Sequence, residues 1–333
     1  ILLFDRNSLL SVQAIESIRN FGLIGVYVLE PAEPLPPMTQ EDLEFERFQI
    51  KAVSAIEEEL DRILKTRKQS RIQTIADMVI RNYGHLDEKI NFYQNLRSLE
   101  DYVSRHSLNV AILCAMITHV MNIRREEQYH TVCAALLHDM GKLKKHEDVY
   151  FGAPYSREDA IRNCETQEEA YSVIEDAFAT EGPAIRRICQ QAAGKQLDLF
   201  PEEGKESRYK MLEGSNVLLV ANRYDEITAM TLQGTAQSEV KAAQELLEHP
   251  EVYDPETVQA LLRSINILPP GASVELSTGE KALVLSENEE NVLRPTVVSF
   301  RDNSILNLAL PQNEDIQIVD VMKTMDNRYI LKK

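Results

Sequence analysis

At Leu268-Pro269-Pro270-Gly271 the hydrophobic period of this chain changes. From Ile72 to Glu248 apolar residues recur at helical spacing, and Gly84, Gly141, Gly182-Pro183 and Gly194 mark the expected breaks. Asp254-Pro255 starts one more helix, with a capping carboxylate and a proline at its first position. Beyond Gly271 the pattern alternates. Val274 and Leu276 lead into the turn Ser277-Thr278-Gly279-Glu280, Ala282 to Leu285 lead away, and strands are predicted over 296–300, 305–310 and 316–321. The fold class that follows is mainly α, closed by a small β module.

The N-terminal quarter reads differently. Ile1–Phe4 and Val26–Val28 look like strands around a short helix, Val12–Phe21, which makes residues 1–30 a small α/β unit. Pro31, Pro34, Pro36 and Pro37 form a stiff linker. A long helix then starts at Thr39 as N-cap, with Asp42 at the capping-box position. Its apolar stripe, Val53, Ile56, Leu60, Ile63 and Leu64, suits packing against a partner or a second copy of the chain. The expected division is 1–30, 31–71 (linker and long helix), 72–268 (helical domain) and 269–333 (β module). With 333 residues, two or three domains and a sizeable core are expected.

Charge and cysteine usage narrow the function classes. Lys plus Arg is 36 against 53 Asp plus Glu, a net charge of −17, which disfavours a nucleic-acid polymer or an anionic membrane as partner. The longest apolar run, Val110 to Met121, is too short to span a bilayer. Cys114, Cys133, Cys164 and Cys189 have no CxxC spacing and read as free thiols of a cytoplasmic protein. GxxxxGK[ST], GxSxG and HExxH are all absent.

One constellation carries chemistry. His106 lies on the buried stripe of its helix, three after Val103 and four before Val110. A second apolar helix ends in Leu136-Leu137-His138-Asp139-Met140-Gly141-Lys142. Imidazole and carboxylate are good ligands for first-row divalent metals. Each half has a plain alternative: a satisfied core histidine, and a histidine with a capping aspartate at a helix end.

These residues resemble the first two motifs of the HD-domain phosphohydrolases, in particular the HD-GYP branch. Phe4-Asp5-Arg6-Asn7 and the β tail from Leu268 are similar to segments that accompany that domain. The resemblance implies a helical HD core that hydrolyses cyclic di-GMP with two or three iron or manganese ions. It carries over His106, His138 and Asp139 as metal ligands and Lys142 as a phosphate-facing cation. It also implies ligands that are missing here, since the matching positions hold Tyr102, Thr166, Ala192, Ala193 and Asn222. The Gly-Tyr-Pro signature is reduced to Leu199-Phe200-Pro201. Asn222 offers only a neutral amide oxygen, and Asp225 is retained outside the ligand position. The set supports no metal, or one iron or manganese, rather than a cluster, and Lys142 becomes a vestige of catalysis.

The expectation is a degenerate member of bacterial type, a non-catalytic signalling or scaffold protein of cyclic di-GMP signalling that self-associates as a homodimer through the long helix. Arg105 and Arg223 are candidates for holding a cyclic dinucleotide; Arg186-Arg187 reads as a solvated face. The alternative is a metal-dependent phosphohydrolase working from a reduced site.

Overall fold

A computed structural model describes residues 40–92, 94, 96–144, 156–200, 210–231 and 236–322, with isolated residues 13, 15 and 16. The strands expected in the first thirty residues, the proline linker and Thr39 lie outside that set. Of the helix expected over 12–21, only the three isolated residues are described, and all three are helical. The chain divides into two compact units, Ile1–Ile50 with Lys323–Lys333, and Lys51–Met322. The candidate site lies in the second.

The described helices are α1 (Gln40–Thr66), α2 (Ile72–Tyr83), α3 (Tyr102–Val120), α4 (Arg125–Leu137), α5 (Arg157–Phe178), α6 (Gly182–Gln196), α7 (Glu213–Thr228), α8 (Glu239–Glu248) and α9 (Pro255–Ser264). Helix α3 is the axis of the bundle, packed against α2, α4, α7 and α9. Its sequence explains that position. From Tyr102 to Thr118 every residue but Arg105 is buried, so this helix is apolar almost all round and needs neighbours on every side. Among the described residues no helix is long and apolar enough to cross a membrane.

Local chemistry sets several boundaries. The side chains of Ser156, Ser238 and Asp254 accept from the backbone N–H groups of Asp159, Lys241 and Thr257, which caps α5, α8 and α9. Buried Glu59 of α1 accepts from the N–H groups of Ser70 and Arg71, just ahead of α2. On α1 the stripe Val53, Ile56, Leu60 and Ile63 is buried within the chain.

Two helical expectations need correction. Gly194 does not break a helix: α6 continues through it to Gln196 and passes into a 3-10 turn, Leu197–Leu199. The described residues among 85–101 are not helical. They run as an irregular strap held by single parallel bridges, Ile90 to Ile265 and Arg97 to Thr231. Backbone bonds to neighbouring elements replace the helical ladder there, with Arg97 N–H donating to the Met230 carbonyl at 2.8 Å.

The β module is an antiparallel sheet of order β4-β3-β2-β1-β5, built from β1 (Ser273–Leu276), β2 (Lys281–Ser286), β3 (Thr296–Ser299), β4 (Ile305–Asn307) and β5 (Ile318–Val321). Val274, Leu276, Ala282, Val284 and Val297 bury one face. Gly279 makes the tight β1–β2 turn at a φ of 78°, a conformation that glycine adopts without steric cost. Helix α8 packs on β5, and the Gln244 amide donates to the Ile318 carbonyl at 2.9 Å.

Candidate metal centre

Three helices of the bundle each bring a donor to one point. Helix α3 supplies His106, the end of α4 supplies His138 and Asp139, and α7 supplies Asn222. One ligand atom from each of His106, His138 and Asp139 lies within 4.8 Å of the other two, and all three residues are buried.

The hydrogen bonds fix which ring nitrogens face inward. His106 Nδ1 is 2.6 Å from Asp225 Oδ2 and His138 Nδ1 is 2.8 Å from the Ala135 carbonyl oxygen. Both partners only accept, so each Nδ1 carries the proton, and in a neutral ring Nε2 is a bare lone pair. The Asn222 amide is oriented by its Nδ2, which donates to Glu226 Oε1 at 3.2 Å, so Oδ1 also faces inward. The two Nε2 atoms are 3.1 Å apart, and Asn222 Oδ1 lies 2.8 Å from one and 2.9 Å from the other. Asp139 Oδ2 is 3.5 Å from His106 Nε2.

Three acceptors that converge on one point are arranged to hold a cation. A divalent ion with ligands at about 2.1 Å spaces neighbouring donors by about 3.0–3.4 Å, close to the separations found here. The donor set therefore fits one metal ion. Both histidines have the outer support typical of metal ligands, a carboxylate behind one and a backbone carbonyl behind the other.

That outer support is extensive. Asp225 is fully buried and accepts from both terminal nitrogens of Arg97, at 2.7 and 2.8 Å, from Gln94 at 2.9 Å and from Asn109 at 3.1 Å. Burial would raise its carboxyl, but the Arg97 guanidinium and the His106 bond outweigh burial and hold it far below the usual carboxylate range. Asp139 accepts from Lys142 Nζ at 2.7 Å and Gln167 Nε2 at 3.1 Å. Burial again opposes ionisation, yet with the Lys142 ammonium as the foremost opposing cause its carboxyl lies well below the usual range. Burial lowers His138 despite the neighbouring Asp139, so its ring is held neutral. Glu226 goes the other way: burial raises it, and Arg223 offsets only part of that.

Beside these residues lies a cavity of about 40 Å³, bounded by His138, Asp139, Lys142, Asn222 and Glu226. It has room for three or four water-sized groups, at about 10–15 Å³ each. Ala192 and Ala193, two positions where the family resemblance implies ligands, line the same cavity. Tyr102, a third, stacks on the His106 ring with centroids 5.5 Å apart. Thr166 is buried next to Gln167.

The remaining sequence candidates sit as follows. Lys142 is buried in its ion pair with Asp139. Arg105 is not brought to the cluster and pairs with Asp101, the residue just ahead of α3. Arg223 is buried near the cavity and engaged by Glu226 and Glu245. Arg186 pairs with Glu175 and Glu168. Among the described residues, His119 pairs with Asp87, away from the centre. Sequence reasoning missed Gln94, Arg97, Asn109, Gln167 and Glu226. Asp225 and Glu226 lie three and four residues after Asn222, and that helical spacing was the one available signal.

Residues 103–230 match a family model described as HD domain, a span that begins in α3 and ends just after α7. The match identifies an HD domain in that segment, which covers less than half of the chain. No curated protein and no solved structure matches the chain.

Proposed function

We propose that this chain holds one divalent cation, iron or manganese, on His106, His138 and Asp139 with Asn222 as a weak fourth donor, and that it is a non-catalytic signalling or scaffold relative of the HD-GYP cyclic di-GMP phosphodiesterases. The observation that carries the reading is the convergence of two bare Nε2 atoms and one amide oxygen within 3.1 Å of one another. Cleavage of a cyclic dinucleotide by a metal cluster needs a second ion, and with it a second set of donors. Among the described residues, His106, His138 and Asp139 form the one such group. Two of the positions where further ligands would stand are the apolar side chains Ala192 and Ala193.

A bound ion would supply Lewis acidity and acidify its water. The chain's own residues do the rest. Asp225 and the Ala135 carbonyl orient the two rings, Gln167 and Lys142 fix the Asp139 carboxylate, and Glu226, its carboxyl raised by burial, lines the cavity beside Asn222. This pre-organisation favours a second reading, a phosphohydrolase working with a single metal. The two readings separate in one experiment. Purified chain reconstituted with manganese or iron is assayed on cyclic di-GMP and on simple phosphomonoesters, beside His138→Ala. The first reading expects one bound ion and no turnover of either substrate. Phosphomonoester turnover that His138→Ala abolishes establishes the second, and turnover of cyclic di-GMP overturns the first.

A further inference from the structure

The strap between α2 and α3 is anchored at two places, and its described residues have no helical ladder between them. The outer anchor is the β module and the link that leads into it. Lys89 pairs with Glu287, the residue just past β2. Ile90 N–H donates to the Ser264 carbonyl at 3.2 Å, and Asn266 N–H donates to the Ile90 carbonyl at 3.0 Å. The Asn266 amide adds a bond to Asn91 Oδ1 at 2.9 Å. Ser264 ends α9, and Asn266 lies on the way from α9 to β1.

The inner anchor is the support of the metal centre. Gln94 is its joint: Nε2 donates to Asp225 Oδ1 and to Thr228 Oγ1, each at 2.9 Å, and Oε1 accepts from Arg97 at 2.7 Å and from Asn109 at 3.2 Å. Arg97 grips the same Asp225 carboxylate with both terminal nitrogens. Asp225 in turn is the acceptor behind His106 Nδ1. The two anchors differ in kind. Arg97 and Asp225 are 1% and 0% exposed, whereas Lys89 and Glu287 are 21% and 26% exposed, so the outer contact alone is open to change from the surface. A segment whose backbone bonds go to its neighbours takes its position from them. The inner bonds of 2.7–2.9 Å are lost beyond about 3.5 Å, so a strap displacement of about 1 Å releases them. Inside a buried polar network such a loss is costly, because no bulk water replaces the lost partner.

We propose that the strap transmits the seating of the β module to the metal centre: the Lys89–Glu287 contact keeps Gln94 and Arg97 in place as positioning residues for Asp225, Asp225 holds the His106 ring, and unseating the module loosens the metal. The inference rests on the one-metal reading above and adds a control point for it. That control point lies outside the HD-domain match, because the strap residues 89–97 and the anchoring residues 264–287 fall on either side of 103–230.

The test compares wild type, Lys89→Glu, Glu287→Lys and the double exchange as full chains. Calorimetric titration gives manganese affinity, and imidazole NMR of the metal-free chains follows the His106 Nδ1 proton. Each single exchange should weaken manganese binding by about 3-fold or more, within the range seen for residues along a coupled network, and should shift the His106 proton resonance. The double exchange restores an ion pair with its signs reversed and should return both readouts to wild type. The two singles change the net charge in opposite directions, so a loss of affinity in both reports lost positioning and not a long-range field. Arg301→Glu is the control. It breaks the Arg301–Glu280 pair of 2.7 Å, inside the β module and away from the strap, and should leave both readouts unchanged. Singles with wild-type affinity and an unmoved His106 resonance overturn the proposal, and so does an Arg301→Glu chain that loses as much affinity as they do. A wild-type chain that binds no manganese removes the metal reading instead, and the His106 resonance of the metal-free chains then decides the strap by itself.

Discussion

Replacing Asp225 with asparagine changes one atom and strikes the support of the centre. The carboxylate is fully buried and accepts from His106, Arg97, Gln94 and Asn109. An amide in its place turns one acceptor into a donor that faces other donors, and it leaves Arg97, 1% exposed, without its counter-charge. Breaking a buried ion pair from one side costs about 3–5 kcal/mol. Loss of the partner behind a metal-ligating histidine typically weakens metal binding by about 10–100-fold. Arg97→Met should cost a similar amount of stability, because it strands Asp225. The double variant removes both charges and should recover about 2–3 kcal/mol relative to the sum of the singles, as expected for residues in direct contact. Urea unfolding of the four chains measures the cycle, and manganese titration of Asp225→Asn measures the effect on the site. Single variants that lose less than about 1 kcal/mol, or that add to within about 0.5 kcal/mol, would show that this pair neither holds the bundle nor orients His106.

Three other outcomes follow from the same geometry. Asn222→Asp exchanges a neutral donor for a charged one, so manganese affinity should rise about 10-fold, near the added strength of a charge-assisted contact; unchanged affinity on titration would mean that position 222 is not a ligand. Gly141→Ala would put a Cβ 2.5 Å from the Thr166 carbonyl oxygen and 2.6 Å from Gln167 Oε1, so it should cost about 1–3 kcal/mol in unfolding experiments and weaken metal binding by disturbing the side chain that holds Asp139. Stability should fall in two stages as acid is added. His138 is lowered in the fold, so the unfolded chain takes up that proton first, below about pH 6.5; Asp139 and Asp225 are lowered too, so their contribution drains below about pH 4, while Glu226, raised in the fold, works against both. Unfolding free energy that stays flat from neutral pH to about pH 3 would contradict those shifts.

Where period and punctuation were strong, sequence and structure agree closely. Alternation beyond Gly271 located the β module, and the apolar run around Val110 located the axial helix because burial on all sides leaves no polar face. His106 was legible as a polar residue on that stripe, and His138-Asp139 as an adjacent donor pair at a helix end. What escaped were contacts made across long separations by residues without a local pattern. Arg97 meets Asp225 across 128 positions, and it lies on a strap whose bonds go to neighbouring elements instead of to its own turn. Gln167 occupies an ordinary helical position, and its hold on Asp139 exists only because α5 packs over the turn that follows α4. Gly194 misled for a simpler reason: glycine weakens a helix by about 1 kcal/mol, and near the end of a well-packed one that is not enough to stop it.

Counting the ions is the most direct test. Chain reconstituted with manganese, then freed of excess metal, should carry one equivalent per polypeptide by elemental analysis and lose it on His138→Ala. Two equivalents, both dependent on His138, would contradict a one-metal centre, and none would contradict a metal centre of any kind.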